Sequence, residues 1–271
     1  MAVKMINMFG STVAAGARFM GAVFIGIGIA SSAAALPVFT WNPGAVGLTG
    51  ITFSGDNILV SDFATVVLTP NGMGGANFTD EGVLAISGFQ LGSSPLAGSG
   101  LNSTFGLYFR FSGTGTQNTV GFNSSTQGVF TTLDYGLYGY EVTGPVSYQP
   151  LNVTPTGVLN PILLATGGLI SGGVGATTIP AVAVVPNANT LVTFTPTPAG
   201  AGFFQSPVPF YNAAFAAFTN NPSQVQFIQG GFIITQGGGS VNFLATPVPE
   251  PASLMILVVG LAALGIVRRR T

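Results

Sequence analysis

The chain has 271 residues, 47% hydrophobic and only 5% charged, with a formal net charge of −1 and neither Cys nor His. This excludes disulfides, thiolate nucleophiles, Cys/His zinc sites and haem ligation through either residue, and the high apolar content excludes disorder. Forty Gly and 18 Pro foretell dense turns, so the composition describes a folding chain with an uncharged surface of Ser, Thr, Asn and Gln.

Residues 1–35 have the order of a secretory signal. Lys4 and Arg18 form a basic leader, Phe19 to Ala30 is an uncharged apolar run, and SSAAA follows. Ala33 and Ala35 supply the small residues at −3 and −1 of an A-x-A cleavage site, so the mature chain is expected to begin at Leu36. A buried core helix would need neither a basic front nor a small-residue tail.

The expected exported domain, residues 36–247, is punctuated like an antiparallel β-sandwich or jelly-roll-like domain. Asn57 to Thr69 alternates Ile58, Val60 and Asp62 with Leu59, Ser61 and Phe63, a strand pattern. Val83 to Leu91 is a second strand. Leu107 to Phe111 is a third, with SGTGT expected to break it. Thr143 to Pro161 is Pro-rich and is the best boundary should the domain have two lobes. Pro161 to Ala176 is ambiguous between helix and strand because of its glycines. Thr190 to Thr195 is β-branched and ends at Pro196. Phe210 to Phe218, FYNAAFAAF, has helical spacing. Phe232 to Thr235 and Val241 to Leu244 read as two strands around a Gly237-Gly238-Gly239 hairpin.

Chemistry is sparse in this body. It has one base, Arg110, against six acids (Asp56, Asp62, Asp80, Glu81, Asp134 and Glu141), a net of −5. Nucleic acid is an unsuitable partner for a surface without Lys/Arg clusters. No His activates a Ser, and no Lys completes a Ser–Lys dyad. Asp80-Glu81 and Asp134/Glu141 are the pairs a glycosidase would use, but FTDEG reads more simply as a turn. Asp56-Asn57 and Asp62 carry oxygens for Ca²⁺ without any EF-hand or repeat spacing, and a turn explains Asp56-Asn57 better. Tyr135, Tyr138, Tyr140 and Tyr148 suit either a carbohydrate-stacking face or one packed face of a strand. The expectation is a protein that is not an enzyme, with no catalytic residue, cofactor or metal.

The last residues, 248–271, hold Pro249-Glu250-Pro251, an uncharged run from Ala252 to Val267, and Arg268-Arg269-Arg270. As a helix that run spans about 24 Å, slightly short of a ~30 Å hydrocarbon core. Arginine stems can snorkel, and the positive-inside rule makes the cluster a cytoplasmic membrane stop. The prolines fix extended backbone around Glu250 and forbid helix through it. The three parts in this order resemble the PEP-CTERM sorting signal of exopolysaccharide-producing Gram-negative bacteria. That resemblance implies recognition of the tripeptide by an exosortase, transient residence in the inner membrane, and release of the exported domain to the cell surface or extracellular matrix. The body blocks NPGAVGLTG, DNILVSDFATV, GLNSTFGLYFRFSGTGTQ, AGFFQSPVPFYNAAFAAFTNNPSQV and QGGGSVNF are similar to the flocculation-associated PEP-CTERM protein family. This second resemblance implies a role in bacterial floc formation within an exopolysaccharide matrix, with self-association open. The alternative is a secreted carbohydrate-binding module with a defined glycan pocket.

Overall fold

Inward apolar residues alternate with outward polar ones along several long strands. On Asn57–Pro70, Ile58, Val60, Asp62, Ala64 and Val66 are buried, whereas the residues between them are half-exposed. The computed structural model describes residues 36–179, 183–208, 212–218 and 221–244. The signal and sorting segments, with Ala33, Ala35, Pro249, Glu250, Pro251 and Arg268 to Arg270, lie outside these described residues. No helix among the described residues is long and apolar enough to cross a membrane.

In chain order the strands are β1 (Phe39–Trp41), β2 (Phe53–Gly55), β3 (Asn57–Pro70), β4 (Ala76–Leu91), β5 (Ser94–Pro95), β6 (Phe105–Gln117), β7 (Gln127–Glu141) and β8 (Ser147–Gln149). They continue with β9 (Asn152–Thr156), β10 (Ile162–Ile179), β11 (Ala183–Val192), β12 (Thr195–Pro196), β13 (Phe204–Ser206), β14 (Asn212–Phe218), β15 (Val225–Ile228) and β16 (Gly231–Leu244).

Eight of these close into a ring. β3 pairs with β4, β4 with β6, β6 with β7, β7 with β10, β10 with β11, β11 with β14, β14 with β16, and β16 returns to β3, always antiparallel. The β-rich, antiparallel expectation holds, but the sandwich or jelly roll is replaced by an up-and-down barrel. Each ring strand neighbours the next one in the chain, so there is no Greek-key crossing, and closure leaves the ring without a free edge. Local patterns mark strands; the register between the last strand and the first is a long-range property.

The two ends of the barrel differ. At the end where β3 begins and β16 stops, a small sheet ordered β13-β1-β2 brings Trp41 and Phe39 into the barrel core. Trp41, fully buried, packs its ring against Phe53, Phe89, Phe203, Phe204 and Phe243 at centroid distances of 5.2–6.2 Å. This is an aromatic plug. On the outside, the β8–β9 hairpin lies over β3, β4, β6 and β7. Tyr148 stacks on Phe63 at 5.6 Å, Thr65 Oγ1 donates to the Pro150 carbonyl (2.8 Å), and Val83, Tyr108 and Tyr140 form a second small core beneath.

Several local expectations are overturned. FYNAAFAAF is not helical where described: residues 212–218 form β14, held by β11 on one side and β16 on the other. Two flanking ladders outweigh helical spacing, because tertiary pairing routinely overrides local propensity. SGTGT does not end its strand; β6 runs through it to Gln117. A side chain at Gly115 would collide with the Phe78 ring, so that glycine makes room for a core aromatic. The triple glycine lies inside β16, which is one strand rather than a hairpin. A Cβ on Gly239 would strike the Ala216 carbonyl of β14, so close strand approach explains it. FTDEG sits within β4 and is not a turn. Pro161 to Ala176 resolves as strand β10, and Thr143 to Pro161 is no lobe boundary but the hairpin flap.

Candidate functional site

The outer wall of β4, β6, β7 and β10 carries a groove of ≈400 Å³ lined by Glu81, Arg110, Ser112, Asp134, Tyr138 and Thr166, among others. Register builds it. Glu81 lies opposite Ser112, and Ser112 opposite Asp134, so three strands contribute one polar row. Strands are spaced about 4.8 Å apart, which puts the two acidic positions roughly 10 Å apart at the backbone. Ser112 Oγ donates to Glu81 Oε1 at 3.3 Å. One row on, Arg110 lies opposite Gly136 and Gly136 opposite Thr166. The lone base of the exported region therefore stands one row from the two acids, on the strand between theirs. Tyr138 closes one side, stacked on Tyr108 at 5.2 Å and 13°. The groove thus offers an aromatic ring beside charged and hydroxyl groups, the chemistry that polyhydroxy ligands need.

The tyrosines divide between environments. Tyr135 points into the barrel, packs on Phe109 and donates its hydroxyl to the Thr193 carbonyl at 2.8 Å. Tyr140 and Tyr148 share a hydroxyl–hydroxyl bond of 2.8 Å under the flap. Burial pushes the Tyr108 phenol up to about 12 and raises those of Tyr135, Tyr140 and Tyr148, so all four stay neutral. Tyr138 and Tyr135 line the groove, Tyr135 with its hydroxyl bonded inward to Thr193.

The acid pairs read from the sequence do not form. Asp80 and Glu81 are neighbours on β4 and face opposite sides, inward and outward. Asp134 and Glu141 lie seven residues apart on β7, more than about 20 Å along the strand, and a Glu141 carboxylate oxygen accepts the Thr49 amide. Asp56 does sit in the bend before β3, accepting the Gly92 amide at 2.7 Å. It does not join Asp62, which faces the lumen. Among the described residues no group of three or more His, Cys, Asp or Glu is gathered for a metal.

Sequence reading missed two pairings. One is Glu81 with Asp134 across the groove. The other is Asp62 and Asp80, which line one apolar cavity inside the barrel from positions four residues out of register on β3 and β4. Burial, with Asp80 nearby, holds the Asp62 carboxyl well above its ordinary range. Burial first and the Glu81 charge second push Asp80 up to about 7. The signal for Asp62 was present: it occupies a core-phase position of β3, where an acid is out of place.

The chain has no significant match among curated proteins, nor among solved structures. A family model does match its C-terminal end, described as the PEP-CTERM protein-sorting motif and covering residues 247–270. That span contains the Pro249-Glu250-Pro251 tripeptide and the three arginines. The chain thus carries the PEP-CTERM sorting motif of exosortase-sorted extracellular proteins.

Proposed function

We propose that this protein is an exosortase-processed component of the cell surface or extracellular matrix that promotes bacterial aggregation, floc formation, together with exopolysaccharide. The observation that carries the reading is the sorting motif at residues 247–270, placed behind an exportable β-rich body. The body's character supports it. Outward positions of β6 and β7 hold Arg110, Ser112, Thr114, Thr116, Thr132 and Asp134, a polar exterior around an apolar interior. A hydroxyl- and amide-rich surface of low charge bonds to polysaccharide and to its own copies with little mutual repulsion. In this reading the protein is not an enzyme.

The test is deletion of the gene. Cells should become planktonic while still secreting polysaccharide. Complementation should succeed with the whole chain and fail with Glu250→Ala. Persistent flocs in the deletion strain would overturn the aggregation role.

The groove favours a second reading, a carbohydrate-binding module. The processed protein should then bind one glycan stoichiometrically, and Tyr138→Ala or Asp134→Asn should weaken binding at least about tenfold, the effect of losing a stacking or charge-assisted contact. Undiminished binding in both variants would remove the groove from consideration.

A further inference from the structure

Charge is distributed unevenly around the barrel. Every charged residue of the exported region lies between Asp56 and Glu141, on or beside β3, β4, β6 and β7. From residue 142 to residue 249 there is none, so the wall made by β10, β11, β14 and β16 is uncharged. At the open end, opposite the plug, this wall carries β15, which pairs with residues 231–234 of β16. β11 pairs with β14 through residues 187–192, and its residues 183–186 pair with β10 alone. Among the described residues no strand lies on the outer side of β15, and no backbone bond leaves that side. Alternate residues of an antiparallel strand turn both N–H and C=O to the same neighbour. Two of the four residues of β15 therefore direct theirs to β16, and the other two aim theirs outward. Phe227 is 60% exposed, and Ile228 beside it is exposed as well. Sheet edges are ordinarily blunted by Lys, Pro, a bulge or a covering segment. Val225–Ile228, VQFI, has neither charge nor proline, and its ladder to β16 has no bulge.

We propose that this edge docks the β15 of a second copy of the chain, the two strands running antiparallel across a two-fold axis. The partner must supply donors and acceptors at strand spacing, and another strand has them. A two-fold pairing sets the outward donors of each copy against the outward acceptors of the other, about four hydrogen bonds in all. The uncharged wall lets an identical copy approach without like-charge repulsion, whereas a charged partner finds no counter-charge there. Hydrocarbon is unsuitable, since lipid satisfies no free backbone group. So short an edge gives a weak, reversible contact. Each pair of copies carries two outer grooves, so a polysaccharide strand held by one copy is tied to a strand held by the other. That consequence rests on the function proposed above; the interface itself does not.

The experiment is sedimentation of the processed protein, recovered from producing cells and freed of polysaccharide, from about 1 μM to about 1 mM, the range of weak protein pairs. A monomer–dimer equilibrium is expected, whether or not the deletion strain loses its flocs. Phe227→Lys and Phe227→Glu should each weaken it at least about tenfold, because like charges then meet across the axis. Trp41 fluorescence reports an intact plug at the far end in each variant. An equimolar mixture of the two variants should restore the dimer, since opposite charges then face each other. A monomer at every concentration, a dimer undiminished in both variants, or a mixture no more associated than its components would overturn the proposal. So would a monomer that sediments with phosphatidylethanolamine–phosphatidylglycerol vesicles, which would assign the exposed edge to lipid. Should the variants not fold, hydrogen exchange on the unaltered protein decides alone. The amides of residues 225–228 should gain protection as concentration rises, and constant exchange there would overturn the interface.

Discussion

Asp62 and Asp80 are the two residues whose chemistry departs furthest from what their surroundings suit. Their folded-state carboxyls titrate higher than the unfolded value near 3.8, so the folded protein holds protons that the unfolded chain has released. Stability from this source is full below about pH 4 and is lost as pH rises through Asp80's value of about 7. The melting temperature should therefore fall between pH 5 and pH 8, on the order of 5 °C for a domain of this size. Asp80→Asn should flatten that slope, and calorimetry across the range checks it. At the opposite end, Trp41 is the single tryptophan and is fully buried. Trp41→Ala should cost roughly 3–5 kcal/mol, read as a lower denaturant midpoint at unchanged m-value.

At the scale of elements, legibility depended on whether neighbours were needed. β3 and the core of β4 were plain in the sequence because alternation is a local property. β14 was not, because FYNAAFAAF is ordered by ladders to β11 and β16 rather than by its own spacing. The glycines misled for a related reason. In SGTGT and GGGS they looked like breakers, yet Gly115 and Gly239 are small because something large or close lies against them. Far-UV circular dichroism of the processed protein should show a β-type spectrum without helical minima. Gly115→Val should destabilise by about 1–3 kcal/mol through overpacking against Phe78, measured by chemical denaturation. Cross-strand rows such as Glu81–Ser112–Asp134 were invisible for the same reason: they exist only once register is set. The flap is an element in its own right, and Tyr148→Phe, which deletes one buried hydroxyl bond to Tyr140, should lower stability by about 1 kcal/mol.

For the whole molecule, the C-terminal address was the most legible part, since a sorting motif is read in linear order by an enzyme rather than assembled by folding. Mass spectrometry of the protein recovered outside the cell should find a C-terminus lacking Arg268 to Arg270. An intact tail there would overturn exosortase processing. Barrel closure was the least legible, because it depends on β16 meeting β3 across almost the full length of the domain. That same closure decides how the molecule is presented. Leu244, the last described residue, leaves the ring at the Trp41 end, and Phe39 enters there too. Both described ends of the chain thus lie at the plugged end of the barrel, and the cavity lined by Asp62 and Asp80 lies toward the other end.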